Sequence, residues 1–201
     1  MNFLEGFGIG LAMVVFIGPV FFTLIQSSLQ FGKLSGLMVA LGIIVSDIVC
    51  VLIYYLGLNT IDFSPNALKY TAAAGSILLF GMGVKYIIQK PPSNNVQLNI
   101  KLNLLSSFTK GFAVNFINPF VFLVWAGVYV FAYEKYTGEF GLELHLIGVL
   151  LGILLTDILK VLISSKLNHY LQPKYLARAS KAFGVIMIGF ALRLILYLFK
   201  L

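Results

Sequence analysis

One cysteine, one tryptophan, two histidines and seven acidic residues are spread over 201 positions. The lone Cys50 excludes a disulfide framework, a CxxC redox pair and a membrane carrier of thiol electrons, which needs two sulfurs. His145 and His169 each lie near a connection with no second ligand at metal spacing, so no metal is expected. No catalytic nucleophile and no cofactor motif appears, which argues against an enzyme. Charged residues make up 10% of the chain, where an average soluble domain carries about 25%. That shortage leaves no room for a soluble catalytic domain.

What the chain has in their place is apolar sequence: 60% hydrophobic residues and a mean hydropathy of +0.98. Six segments, at approximately 4–29, 36–58, 67–88, 108–133, 144–165 and 180–199, each offer the roughly 20 apolar residues that cross a hydrocarbon core. The fold class expected is therefore an all-α membrane protein with six transmembrane helices. The first span holds Glu5 and no Lys or Arg ahead of its apolar stretch, and it reads as a retained helix and not a signal peptide.

The net charge of +7 could suit nucleic acid, but its distribution argues for a bilayer. Odd-numbered connections hold Lys33, Lys90, Lys101, Lys110, Lys166, Lys174, Arg178 and Lys181, while the opposite side holds only Lys69, Lys135 and Lys200. Positive residues concentrate in cytoplasmic loops, which places both termini on the non-cytoplasmic side.

Leu41–Ile53 lies over Leu151–Ile163 with eight identities in thirteen positions, and the pairs Gly42/Gly152, Ser46/Thr156 and Asp47/Asp157 carry the weight. An ionised Asp at the centre of an apolar helix costs about 2.5 to 3.5 kcal/mol, and such residues mark ion or substrate paths. Pro91–Asn95 and the polar residues after it divide the chain into a first three-helix repeat (1–90), a cytoplasmic linker (91–107) and a second repeat (108–201). Three crossings per half make the two copies inverted in topology, which puts a binding site near the midplane. Other matches extend the repeat: Gly6-Phe7 over Gly111-Phe112, Gly18-Pro19 over Asn118-Pro119, and Gly75 over Gly184 with Lys85 and Arg193 at similar depth.

Pro19 and Pro119 sit inside apolar spans, where a proline removes a backbone hydrogen bond and clashes with the preceding turn. Proline is favoured as the first residue of a helix, after a capping Gly or Asn. The first and fourth spans are thus expected to break at Gly18-Pro19 and Asn118-Pro119, each exposing helix-start amides suited to an anion such as a carboxylate. An ordinary proline kink is the alternative. Asn115 adds a polar group beside the second break.

Lys160 follows Asp157 by three residues and so shares its face, where it neutralises that carboxylate. Asp47 has Cys50 at the matching position and must find a partner elsewhere, stay protonated, or bind the transported species. Asp47 is accordingly expected to be the main proton or ammonium site, with Asp157 its compensated twin. Thr23, Gln26, Ser46, Thr156 and Lys160 are expected along the path, although Ser and Thr also bond their own helix backbone.

Gly18-Pro19, the Gly32-Lys33-Leu34-Ser35-Gly36 turn into Leu41-Gly42, Asp47, Gly57, Gly75 and Asn115-Phe116-Ile117-Asn118-Pro119 together resemble the LysE/RhtB group of amino-acid exporters over essentially the whole chain. The resemblance implies a secondary transporter of the bacterial inner membrane that exports amino acids or related small zwitterionic solutes by proton antiport. It implies no cofactor, and it admits a homodimer. This chain departs from that pattern at Val20-Phe21, where a second Gly-Pro step is usual, and at Phe120, where a Lys is usual. The competing readings are a divalent-cation exporter of the same superfamily and a non-transporting membrane scaffold.

Overall fold

The structure, a computed structural model, describes residues 2–15, 18–57, 65–88, 103–136, 138, 140–167 and 173–198. All regular structure among them is helical: α1 (Asn2–Ala12), a 3-10 turn (Met13–Val15), α2 (Pro19–Phe31), α3 (Lys33–Gly57), α4 (Pro65–Ile88), α5 (Leu104–Phe116), α6 (Pro119–Lys135), α7 (Gly141–Leu162), the short α8 (Ser164–Leu167) and α9 (Pro173–Leu198). The linker residues 91–102, with Pro91–Asn95, lie outside the described residues. Leu104–Ser107, read from sequence as the end of that linker, form the first turn of α5, because the Asn103 side chain accepts from the Leu105 and Ser106 amides and starts the helix early.

Both prolines begin helices. Gly18, extended at φ −130° and ψ −167°, precedes Pro19, and Asn118, at φ −80° and ψ 104°, precedes Pro119. The missing amide hydrogen costs nothing at a first helical position. The axes on either side of the breaks differ by 77° for Asn2–Val15 and Pro19–Phe31 and by 68° for Leu104–Phe116 and Pro119–Lys135. α3 and α7, of 25 and 22 residues, are unbroken and apolar enough to cross a membrane, and each bent pair is long enough to do so as one span. The third and sixth spans expected from sequence fall on α4 and α9, of 24 and 26 residues.

The chain forms two compact units that cut across the sequence halves. One comprises Met1–Leu56 with Asn95–Leu171, the other Gly57–Asn94 with Gln172–Leu201.

In the first unit the same glycine contact occurs twice. A methyl on Gly10 would sit 2.3 Å from the Val149 carbonyl oxygen, and one on Gly152 would sit 2.5 Å from that of Phe7, so α1 and α7 touch backbone to backbone. On the other pair, a methyl on Gly111 would lie 2.2 Å from the Val39 carbonyl oxygen and one on Gly42 would lie 2.1 Å from that of Phe108. Contact pairs advance together in number along both helices of each pair, so α1 runs parallel to α7 and α5 to α3. Small residues allow such approach where lipid removes the usual gain from apolar burial. Gly6 makes a like approach, a methyl on it lying 2.1 Å from the His145 carbonyl oxygen, and the partners Val39 and Val149 match Gly111 with Gly10, one turn along from the Gly6 over Gly111 alignment. Leu24, Ile25, Val39, Ala40, Ile43 and Val161 close a core among α2, α3 and α7. Gly42→Ala is expected to lower stability by about 1–3 kcal/mol, the usual cost of overpacking, read as an earlier melting transition in detergent.

In the second unit α4 and α9 pack through a reciprocal pair. A methyl on Gly83 meets the Gly184 carbonyl oxygen at 2.8 Å, and one on Gly184 meets that of Gly83 at 2.6 Å. Leu79, Tyr86, Met187 and Ala191 are buried there. Gly184 thus faces Gly83, two turns beyond the Gly75 with which the sequence aligned it.

Candidate functional site

On α3 the residues at helical spacing Ile43, Ser46, Asp47 and Cys50 are buried, while Val45, Ile48 and Leu52 are exposed. One stripe therefore turns a carboxylate inward, and Asp47 is 4% exposed. Its Oδ1 accepts hydrogen bonds from Asn115 Nδ2 at 2.8 Å and from Trp125 Nε1 at 2.8 Å. Asn115 stands in the last turn of α5 and Trp125 nearly two turns into α6, on opposite sides of the break at Asn118-Pro119. A straight helix could not aim both at one atom. The break is what folds the two donors around Asp47.

Asn115 Nδ2 also lies 3.2 Å from Ser46 Oγ and 3.3 Å from the Ile43 carbonyl oxygen. Its two hydrogens are shared among three acceptors, which fixes the amide. Tyr54, two turns beyond Asp47, donates to the Phe122 carbonyl at 2.9 Å and ties α3 to α6 again. Oδ1 takes both donors, and Oδ2 receives none among the described residues.

Asp157 holds the matching place on α7 and is partnered differently. Lys160 Nζ lies 2.9 Å from its Oδ1, with side chains 11% and 7% exposed for Lys160 and Asp157. The same ammonium sits 6.0 Å from the centre of the Phe21 ring, in the first turn of α2. Asp157 is near enough to Asp47 for its charge to act on it. Phe21, Lys160 and Asp157 therefore form a succession of neighbours leading from the first break.

The two helix starts also differ. At α6 the Asn118 Oδ1 accepts from the Phe120 amide at 3.2 Å, so the cap occupies its own helix start. At α2 Gly18 is buried and brings no side chain, and the first intrahelical bond runs from the Phe22 amide to the Gly18 carbonyl at 3.2 Å. The Val20 and Phe21 amides precede that bond and have no partner within the helix.

Of the path residues expected from sequence, Ser46 touches Asn115, and Thr156 bonds the Ile153 carbonyl of its own helix at 2.8 Å. Thr23 and Gln26 are half-buried on α2. Trp125 was not legible as a site residue, since a lone tryptophan in an apolar span also suits an interfacial belt. Its place six residues after Pro119 is the signal that the fold explains afterwards. Among the described residues no group of three His, Cys, Asp or Glu could hold a metal ion. Trp125→Phe replaces the buried indole by a smaller ring without the N–H, and is expected to cost about 1.5–3 kcal/mol for the lost hydrogen bond to a charged group with a cavity cost added, measured as a lower melting temperature.

Helices of membrane-crossing length, spans interrupted at proline and an inward carboxylate held across a break define a multi-pass integral membrane protein of the solute-transporter class. A family model described as LysE type translocator matches residues 11–198, and the chain belongs to that family. Comparisons with curated proteins and with solved structures returned no match. The family is one of transporters and not of enzymes.

Proposed function

We propose that the protein exports amino acids or related small zwitterionic solutes across the bacterial inner membrane in exchange for protons. In this reading six crossings are arranged as two inverted three-helix repeats with both termini outside. The doubled glycine contact supports it, since α1 of the first half packs on α7 of the second as α5 of the second packs on α3 of the first.

The observation that carries the proposal is the setting of Asp47: a carboxylate sunk in an apolar helix, held on one oxygen by Asn115 and Trp125 and with no donor on the other among the described residues. That other oxygen takes either the ammonium group of the solute or a proton. Both need the same lone pairs, so they exclude each other, and that exclusion is the coupling. The solute carboxylate goes to the start of α2, where the Val20 and Phe21 amides and the helix dipole favour an anion and Lys160 adds a positive charge beside Phe21. Gly18 and Pro19 shape this start. Asn118 and Pro119 shape the second break, and Asn115 delivers its effect to Asp47.

Purified protein in proteoliposomes, given a panel of labelled amino acids with and without a pH gradient, tests the reading. Flux of one solute class that rises with an inward proton gradient is expected. Gradient-driven flux of divalent cations alone, or no flux of any solute, overturns it.

A further inference from the structure

His145, in the second turn of α7, is completely buried, and neither ring nitrogen has a hydrogen-bond partner among the described residues. A buried polar group without a partner costs free energy that a fold normally avoids. The ring is covered by Tyr136 and Phe131 of the α6 end, at 5.1 and 5.9 Å between centres. Lys135 Nζ lies over both of those rings, at 5.1 Å from Phe131 and 5.6 Å from Tyr136. From α1, Glu5 bonds Lys135 through one carboxylate oxygen and the Tyr136 hydroxyl, at 2.6 Å, through the other. The charges of Glu5 and Lys135 both act on His145, and the Asn2 backbone approaches the ring without hydrogen-bond geometry.

The corresponding place in the other half makes the contrast plain. The Val39/Val149 and Gly42/Gly152 matches put Ser35 where His145 stands, and Ser35 Oγ shares a 2.7 Å hydrogen bond with Ser107 Oγ of α5. One end of the unit is closed by a satisfied neutral bond that no pH change disturbs. The other end keeps an imidazole, a type of side chain whose usual titration falls between pH 5 and 8, near Glu5, the carboxylate that joins α1 to the end of α6 among the described residues.

We propose that His145 is a proton-binding site of its own, separate from Asp47, whose occupation draws Glu5 away from Lys135 and Tyr136 and frees the end of α6 from α1. A neutral His145 leaves Glu5 bound to its two α6 partners. An imidazolium has two N–H donors to satisfy and finds in Glu5 the carboxylate that acts on it among the described residues. The imidazolium repels Lys135 and turns Glu5 from α6 toward α7, so the α1 to α6 latch opens as pH falls. On the topology proposed above this end faces outward, where protons enter, but the latch itself depends on no substrate.

Nitroxide labels at Leu4 and Tyr133, both exposed, in a Cys50→Ser background in lipid nanodiscs, report the separation of α1 and α6 by pulsed electron resonance. A longer-distance population is expected to rise as pH falls from about 8 to about 4.5 and to be lowest at the alkaline end. His145→Gln is expected to hold the short distance at every pH, and Glu5→Gln to show the long one already at pH 8. A native distance that ignores pH, or a shift that persists in His145→Gln, overturns the proposal. With only two histidines in the chain, nitrogen-15 imidazole spectra of His169→Gln isolate His145, and failure of that signal to titrate between pH 4.5 and 8, a range set about the usual imidazole value, overturns it as well. Because neither readout involves solute, either can fail while the transport reading stands.

Discussion

Replacing Asp47 by asparagine is expected to abolish coupled solute flux while leaving the protein folded. The amide oxygen of Asn still accepts from Asn115 Nδ2 and Trp125 Nε1, the two bonds that hold α5 and α6 on α3, so a stability change under about 1 kcal/mol is expected. What disappears is the charge that balances an ammonium group and the oxygen that takes a proton. Leaving a buried ammonium unpaired costs about 3 kcal/mol or more, which is roughly 100-fold in apparent affinity. Flux driven by a pH gradient falls further, because no protonation step remains to exchange against. Labelled-solute uptake into proteoliposomes, with melting in detergent as the control for folding, reads both halves of the prediction. Gradient-driven flux by Asp47→Asn at the native rate removes Asp47 from the mechanism.

The features legible in the sequence were those that break a local rule in an apolar setting. Pro19 and Pro119 could not lie inside straight helices, and both begin new ones. Asp47 and Asp157 could not face lipid, and both are buried. Lys160 found Asp157 because three residues along a helix share a face. Relations that depend on how a break folds back were not legible: nothing about Trp125 ties it to Asp47 until α6 has turned through 68°. The division into units was also hidden. It follows from helices of opposite halves packing on each other, α1 on α7 and α5 on α3 in one unit and α4 on α9 in the other, a long-range consequence of topology.

Removing Lys160 is expected to destabilise the protein more than any other single charge change in the site, by about 3–5 kcal/mol for Lys160→Met. Asp47 has no cation beside it among the described residues, and Asn115 and Trp125 supply neutral donors instead. Counted from the prolines, the positions of those two residues in the first half are Val15 and Ile25, which carry no donor. Asp157 therefore has Lys160 alone among the described residues, and a methionine there leaves an uncompensated carboxylate that is 7% exposed. Exchanging both members, Asp157→Asn with Lys160→Met, removes the two desolvation costs together with the attraction, a change that is commonly near neutral. Melting within about 1 kcal/mol of the native protein is expected for the double variant. Its solute flux is expected to stay low, because the positive charge beside Phe21 that steadies the solute carboxylate is gone. Native melting of Lys160→Met alone contradicts the ion-pair account. Native flux in the double variant confines the pair to holding α7 together and moves the anion site to the α2 amides.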